Sequence, residues 1–193
     1  MKNKTMFLLL FLFGVFLTLG SVEARAQSGE PKGEVGGQVS IIRFRDLSST
    51  DVGVGGWVSY DVSRYFSLDA TVNVFPQDKT DPFASGRKAE GLFGIKTGFK
   101  SDKAGFYGKF RAGFMHFSRN FDTTPEGFND LALDFGGVLE IYPSRRTVFR
   151  VDLGDTYIRF GTRNIFVPGL GVVDAGHFNS HNFQGTVGFG FRF

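Results

Sequence analysis

The 193-residue chain carries 22 basic and 19 acidic side chains, 25 Phe, 27 Gly and no Cys. Setting aside Lys2, Lys4, Arg25 and Glu23 of an N-terminal leader leaves 19 basic and 18 acidic residues, a net charge of about +1 that excludes the basic footprint of a nucleic-acid binder. The absence of Cys excludes disulfides and a lipid-anchored lipoprotein, so stability has to come from closure and packing.

The leader comes first in chain order. Lys2 and Lys4 precede a nearly unbroken apolar run from Met6 to Leu19, and Ala24, Arg25 and Ala26 supply the small residues of a signal-peptidase site. The run is about 14 residues, short of the roughly 20 a spanning helix needs, so residues 1–26 are expected to be a cleaved signal and residues 27–193 one domain.

Alternation then dominates the chain. Val35, Gly37, Val39 and Ile41 oppose Gly36, Gln38, Ser40 and Ile42 in a first predicted strand. Val52, Val54, Gly56, Val58 and Tyr60 oppose Gly53, Gly55, Trp57 and Ser59 in a second, and Leu68, Ala70, Val72 and Val74 oppose Ser67, Asp69, Thr71 and Asn73 in a third. A fourth sets Phe93, Ile95 and Phe99 against Leu92, Gly94, Lys96 and Gly98. In the fifth, Phe106, Phe110 and Phe114 oppose Tyr107, Lys109, Arg111 and Met115. The sixth opposes Leu133, Phe135, Leu139 and Ile141 to Asp134, Val138, Glu140 and Tyr142, and the seventh Phe149, Val151 and Leu153 to Arg150, Asp152 and Thr156. The eighth places Phe183, Val187, Phe189, Phe191 and Phe193 on one face and Gln184, Thr186, Gly188, Gly190 and Arg192 on the other.

Successive side chains of a strand point to opposite faces, so each of these segments has one apolar side and one polar or small side. Eight such strands of roughly 9–11 residues, with short connections at 61–65, 101–104 and 143–146 alternating with longer ones at 45–51, 77–90, 118–131 and 158–181, predict an all-β, eight-stranded antiparallel up-and-down transmembrane β-barrel of outer-membrane type. Both termini then lie in the periplasm. A soluble ligand-carrying barrel would reverse the polarity and place charges from adjacent strands in an apolar calyx, where unpaired charge is costly.

The runs Gly55-Gly-Trp-Val-Ser-Tyr60, Leu68-Asp-Ala-Thr-Val-Asn73, Asp134-Phe-Gly-Gly-Val-Leu-Glu-Ile-Tyr-Pro-Ser-Arg-Arg146 and the ending from His181 to Phe193 resemble the outer-membrane β-barrel domain family, grouped with small OmpA- and OmpX-type barrels. The resemblance spans about residues 34–193. It implies a Gram-negative-type outer membrane, contact with its lipid and lipopolysaccharide, a monomer, and Phe193 as an assembly signal read by the barrel-assembly machinery. The absence of a peptidoglycan-binding domain after the barrel departs from the full OmpA pattern, and no cofactor is implied.

Chemistry has few places to reside. Lys109, Arg111, Glu140, Arg150 and Asp152 point inward from three consecutive strands, and Asp69, Lys96, Asp134 and Arg192 share that parity. Eight strands leave an interior about wide enough for side chains, so a paired network filling the lumen is expected, with a gated ion path as the alternative. His177 and His181 lie about 13 Å apart in extended chain, too far to share a metal. His116, Ser118 and Asn120 resemble the motif of barrel-type lipid A deacylases with Arg119 inserted and no acidic partner for His116. Tyr60, Tyr65, Phe99 and Tyr142 at one boundary, and Phe75 and Phe117 at the other, are expected as interfacial girdles. The leading expectation is a non-enzymatic scaffold whose external loops, that at 158–181 above all, meet an unknown external partner or support envelope integrity. A narrow channel and a deacylase using His116 and Ser118 are the alternatives.

Overall fold

The computed structural model describes residues 31–45, 49–76, 86–118, 127–161, 164–167, 171–174 and 176–193. The expected leader over residues 1–26 and its cleavage site lie outside them. Eight long strands, β1 (Gly33–Phe44), β2 (Ser49–Asp61), β3 (Phe66–Phe75), β4 (Lys88–Lys100), β5 (Ala104–Phe117), β6 (Phe128–Ser144), β7 (Thr147–Phe160) and β10 (Phe178–Arg192), close into an antiparallel barrel in the order β1-β10-β7-β6-β5-β4-β3-β2. β8 (Asn164–Val167) and β9 (Gly171–Asp174) form a separate antiparallel hairpin within the last long connection.

Closure is made by the two ends of the domain. Glu34 to Arg43 of β1 register with Arg192 to Phe183 of β10, and the Phe193 carbonyl accepts from the amides of Lys32 (3.0 Å) and Gly33 (2.8 Å) while its own amide donates to Gly33 (2.9 Å). The eight-stranded ring is left without a free edge, which is what a strand structure needs in lipid. The short turns are tied locally. The Val62 and Ser63 amides both donate to the Phe66 carbonyl, and Ser101 and Ala104 exchange bonds across the next turn. Pro143, which has no N–H to give, lies where the β6–β7 register shifts between Ile141 and Ser144.

All the barrel strands but β3, which has 10 residues, run beyond the predicted 9–11, to 17 in β6 and 15 in β10. The extensions lie mostly at the loop ends, where Asn129, His116, Asn179 and His181 take outward positions. Apolar alternation stops there although the hydrogen-bonded ladder continues, so periodicity marks the height of the lipid belt and not the end of the strand. The predicted long connection at 158–181 contracts to 161–177.

The face assignment is otherwise that of the alternation, with one correction among the boundary aromatics. Tyr60, Tyr65 and Phe99 are exposed, and Tyr65 meets Phe99 edge to face at 6.3 Å. Phe75, Phe117 and Tyr142 are not girdle residues; all three point into the barrel and are buried. Phe75 shares its face with Asn73 and Tyr142 with Glu140, and that parity outweighs the tendency of an aromatic to sit at an interface.

Candidate functional site

The barrel interior is stacked in levels. At the loop end Ile42, Phe44, Phe75, Leu92, Met115, Phe117, Ala132, Ile158 and Phe160 form one buried apolar cluster, with Phe178 packed against it. Ring contacts run from Phe44 to Phe117 (6.3 Å), on to Phe160 (5.6 Å), and then to Phe178, stacked at 4.4 Å. Lys88 and Asp51 pair beside this cap, and the Lys88 ammonium lies 5.0 Å from the Phe44 ring centre.

Beneath the cap is a layer of neutral and amide groups around one acid. Glu90 accepts from Gln184 Nε2 (3.0 Å) and Asn73 Nδ2 (3.3 Å), Gln38 donates to Asn73 (2.8 Å), and Thr156 donates to Gln184 (2.5 Å). Amide donors satisfy the Glu90 carboxylate without an ion pair, the arrangement a buried acid needs to avoid an orphaned acceptor.

The ionic layer follows. Arg150 binds Asp69 through two parallel bonds, Nη1 to Oδ1 at 2.7 Å and Nη2 to Oδ2 at 2.8 Å, and reaches Asp152 at 3.2 Å. Arg111 donates to Asp134 (2.6 Å), Asp69 (3.0 Å) and Asp152 (3.0 Å). Lys109 donates to both oxygens of Asp134 (2.8 and 2.9 Å) and pairs with Asp152. Lys96 and Lys109 are register partners, so two like charges start side by side. The conflict is relieved because Lys96 turns the other way, to Glu140 (2.5 Å) and Glu34 (3.4 Å).

The turn end closes on aromatics. Tyr142 donates to Glu140 (2.7 Å) and its hydroxyl meets that of Tyr107 (3.1 Å). The Arg192 guanidinium lies 3.9 Å from the Tyr142 ring and 3.4 Å from Glu34. Trp57 crosses the inner wall of β1 and β10, where a Cβ on Gly36 or Gly188 would come within 2.2 or 2.4 Å of its ring, and Arg150 stacks 5.5 Å from it. Glycine is required at both positions by this close approach.

Lys109, Arg111, Arg150 and Asp152 are thus brought together around Asp69 and Asp134. Glu140 stands one step away, 4.0 Å from Arg150, and is held chiefly by Lys96 and Tyr142. Across the ionic and turn-end levels six cations among the described residues, Lys96, Lys100, Lys109, Arg111, Arg150 and Arg192, face six carboxylates, Glu34, Asp61, Asp69, Asp134, Glu140 and Asp152. Opposite charges in equal number can share bonds in a dry interior, where an unpaired charge is strongly disfavoured. Glu34, Asp51, Lys88 and Glu90 were missed by sequence reasoning, although each continues the inward parity of its strand past the apolar outward run.

No acidic partner of His116 occurs among the described residues. The His116 Nδ1 lies 2.8 Å from the Asn129 Oδ1, and the Ser118 amide donates to the Arg87 carbonyl at 2.9 Å. Asn120 and Arg119 lie outside the described residues. His181 is outward and bonded to Asp155. No group of metal-ligating side chains occurs among the described residues.

A closed eight-stranded barrel with an apolar outer belt and a polar, ion-paired interior defines the class of transmembrane outer-membrane barrels. The chain belongs to the outer membrane protein beta-barrel domain family, matched over residues 13–193, and its location is the outer membrane of a Gram-negative-type bacterium. A search of curated proteins finds no match to it. Its fold is similar to that of Neisserial surface protein A, at 9% identity over 86% of this chain and 98% of that one, with a TM-score of 0.55. The N-terminal β-barrel domain of Pseudomonas aeruginosa OprF aligns at 13% identity over 84% of this chain and 99% of its own, with a TM-score of 0.48. Ail, the attachment invasion locus protein of Yersinia pestis, aligns at 15% identity over 86% and 100%, with a TM-score of 0.46.

Proposed function

We propose that the protein is a non-enzymatic outer-membrane scaffold with a closed lumen, presenting its long connections at the cell surface for contact with a partner or for envelope integrity. The observation that carries this reading is the filled interior. An apolar cap, an amide layer and a neutral ionic layer occupy successive heights, and the side chains that span them are buried. An eight-stranded wall leaves about enough room for side chains and no more, so ions have no hydrated path.

The channel alternative would need charged side chains facing water, whereas Arg150 and Lys96 are 0% exposed. The deacylase alternative would need His116 oriented by an acid, whereas its Nδ1 lies against an amide oxygen. The reading includes export by a leader over residues 1–26, contact with lipid and lipopolysaccharide, and recognition of Phe193 by the barrel-assembly machinery. It also takes the protein as a monomer, since the closed barrel offers no free edge through which a second copy would pair. Planar-bilayer recording of the purified, folded protein tests it. The expected result is no steady unitary current, and large regular conductance steps would replace the scaffold with a pore.

A further inference from the structure

The turn end of the barrel sorts its charges by where they stand. On the strands they face inward and are paired, Asp61 with Lys100 and with the Ser67 hydroxyl (2.7 Å), and Glu34 with Arg192 (3.4 Å). The outward positions at the feet of the same strands are uncharged, with Tyr60, Phe99, Phe106, Ile141, Phe149 and Phe191 among them. Exposed charge lies beyond the strands, on Lys32 before β1 and on Arg64, Lys103, Arg145 and Arg146 in the three short turns, where Asp102 is the one exposed acidic side chain. None of the four turn cations has an acidic partner among the described residues, since Asp61 and Glu34 are taken up by Lys100 and Arg192.

These cations stand on fixed backbone. The Lys103 carbonyl accepts from the Tyr142 amide (2.8 Å), the Arg146 carbonyl from that of Arg192 (2.9 Å), and the Tyr65 carbonyl, next to Arg64, from that of Gly98 (3.0 Å). Each turn is thereby bonded to the strand beyond its own hairpin, β6, β10 and β4 respectively. The turns β2–β3, β4–β5 and β6–β7 follow one another around the ring, so neighbours stand two strand spacings, or about 10 Å, apart. Cations at that separation do not close on one small anion. They match a partner that repeats its negative charges.

We infer that this basic arc docks the barrel on an acidic polymer of the periplasm, the peptide-bearing glycan of the cell wall, through the free carboxylates of its peptides. Short turns of such barrels face the periplasm, so the wall is the polymer that lies beneath them. Guanidinium and ammonium groups make charge-assisted bonds to carboxylates, yet each exposed pair is weak alone, and it is the simultaneous engagement of several that holds. An anionic lipid headgroup is the poorer occupant, because lipid is met by the outward strand positions and those at this end carry no charge. The inference deepens the envelope-integrity part of the proposed scaffold and rests on that reading only for which way the turns face. A pore in bilayer recordings would leave wall binding untouched, and failure to bind the wall would leave the closed lumen standing.

The test incubates the full mature protein, folded in nanodiscs of zwitterionic lipid, with purified sacculi from a Gram-negative bacterium and reads the fraction that co-sediments. The expected result is salt-sensitive binding that weakens about tenfold or more when the sacculus carboxylates are converted to amides, or when Arg64→Gln, Lys103→Gln, Arg145→Gln and Arg146→Gln are combined, the loss that goes with several exposed pairs. Arg43→Gln with Arg87→Gln, at the loop end, should leave binding unchanged. Equal binding to native and amidated sacculi, the same loss in the loop-end variant, or release of the native protein from sacculi on adding phosphatidylglycerol to the nanodisc would each overturn the inference, the last by giving the arc to lipid. Should the fourfold variant lose its folded gel mobility, Arg145→Gln with Arg146→Gln, and the two forms of sacculus on the native protein, still decide it.

Discussion

Arg150 and Asp69 join opposite walls of the barrel. Arg150 is on β7 and Asp69 on β3, four strands away in either direction around an eight-stranded ring, and their two bonds of 2.7 and 2.8 Å cross the full lumen. Gln184 on β10 and Glu90 on β4 are likewise four strands apart, and meet at 3.0 Å one level nearer the loops.

Removing Arg150 alone leaves the Asp69 carboxylate buried with its bidentate partner gone. Arg150→Met is expected to cost about 3–5 kcal/mol in reversible urea unfolding from lipid vesicles, the usual penalty for breaking a buried pair. Asp69→Asn in the Arg150→Met background should recover part of that loss. Strict additivity of the two changes would show that the residues do not act together.

Much of the interior was legible in the sequence. Arg150 and Asp152 are two apart on a strand whose outward residues are Phe149, Val151 and Leu153, so their face followed from parity alone. What parity cannot supply is the partner across the lumen, because Asp69 is 81 residues away and the pairing depends on how the closed sheet is tilted and staggered. Glu34, Lys88 and Glu90 escaped for a different reason. Their strands begin before the apolar outward run does, and the eye starts counting where the run starts.

Phe75 separates two readings of the loop-end aromatics. As part of the buried cap, Phe75→Ala should lower stability by about 3–5 kcal/mol, the range for emptying a large aromatic from a packed interior. A girdle residue would leave unfolding almost unchanged and alter only depth in the membrane. An unfolding midpoint equal to that of the native protein would return Phe75 to the lipid boundary.

Trp57 is the single tryptophan of the chain, so its emission reports the turn-end packing by itself. Gly188→Ala puts a methyl group 2.4 Å from the indole and 2.8 Å from the Gly37 carbonyl oxygen, a backbone atom that cannot swing away. The variant should be destabilised by about 1–3 kcal/mol and should shift the emission as the ring is pushed from its cradle. Gly185→Ala, on the outward face of the same strand, is the control, and identical spectra for all three proteins would mean the ring does not rest on Gly188.

Phe193 closes the ladder with Lys32 and Gly33, and its ring covers Gly33, where a Cβ would come within 2.4 Å. Deleting Phe193 should reduce the folded, heat-modifiable fraction in cells far more than deleting Thr123 from a long connection. Equal folded yields would remove the terminal aromatic from any role in assembly.

The bonds between opposite walls also have a mechanical meaning. A closed sheet of eight strands is stiff along its ladder but can flatten, because ovalising the ring bends many hydrogen bonds slightly and breaks none. The Arg150–Asp69 and Gln184–Glu90 contacts run along two such diameters, β3 to β7 and β4 to β10, and act as tie rods that fix the width of the ring in both. Lateral pressure from the bilayer is therefore carried by side chains across the hollow. The roots of the long connections, planted at the ends of β3, β4, β7 and β10, are thereby held at a fixed spacing, so the surface partner proposed above would meet the same arrangement of anchor points in a thick membrane as in a thin one.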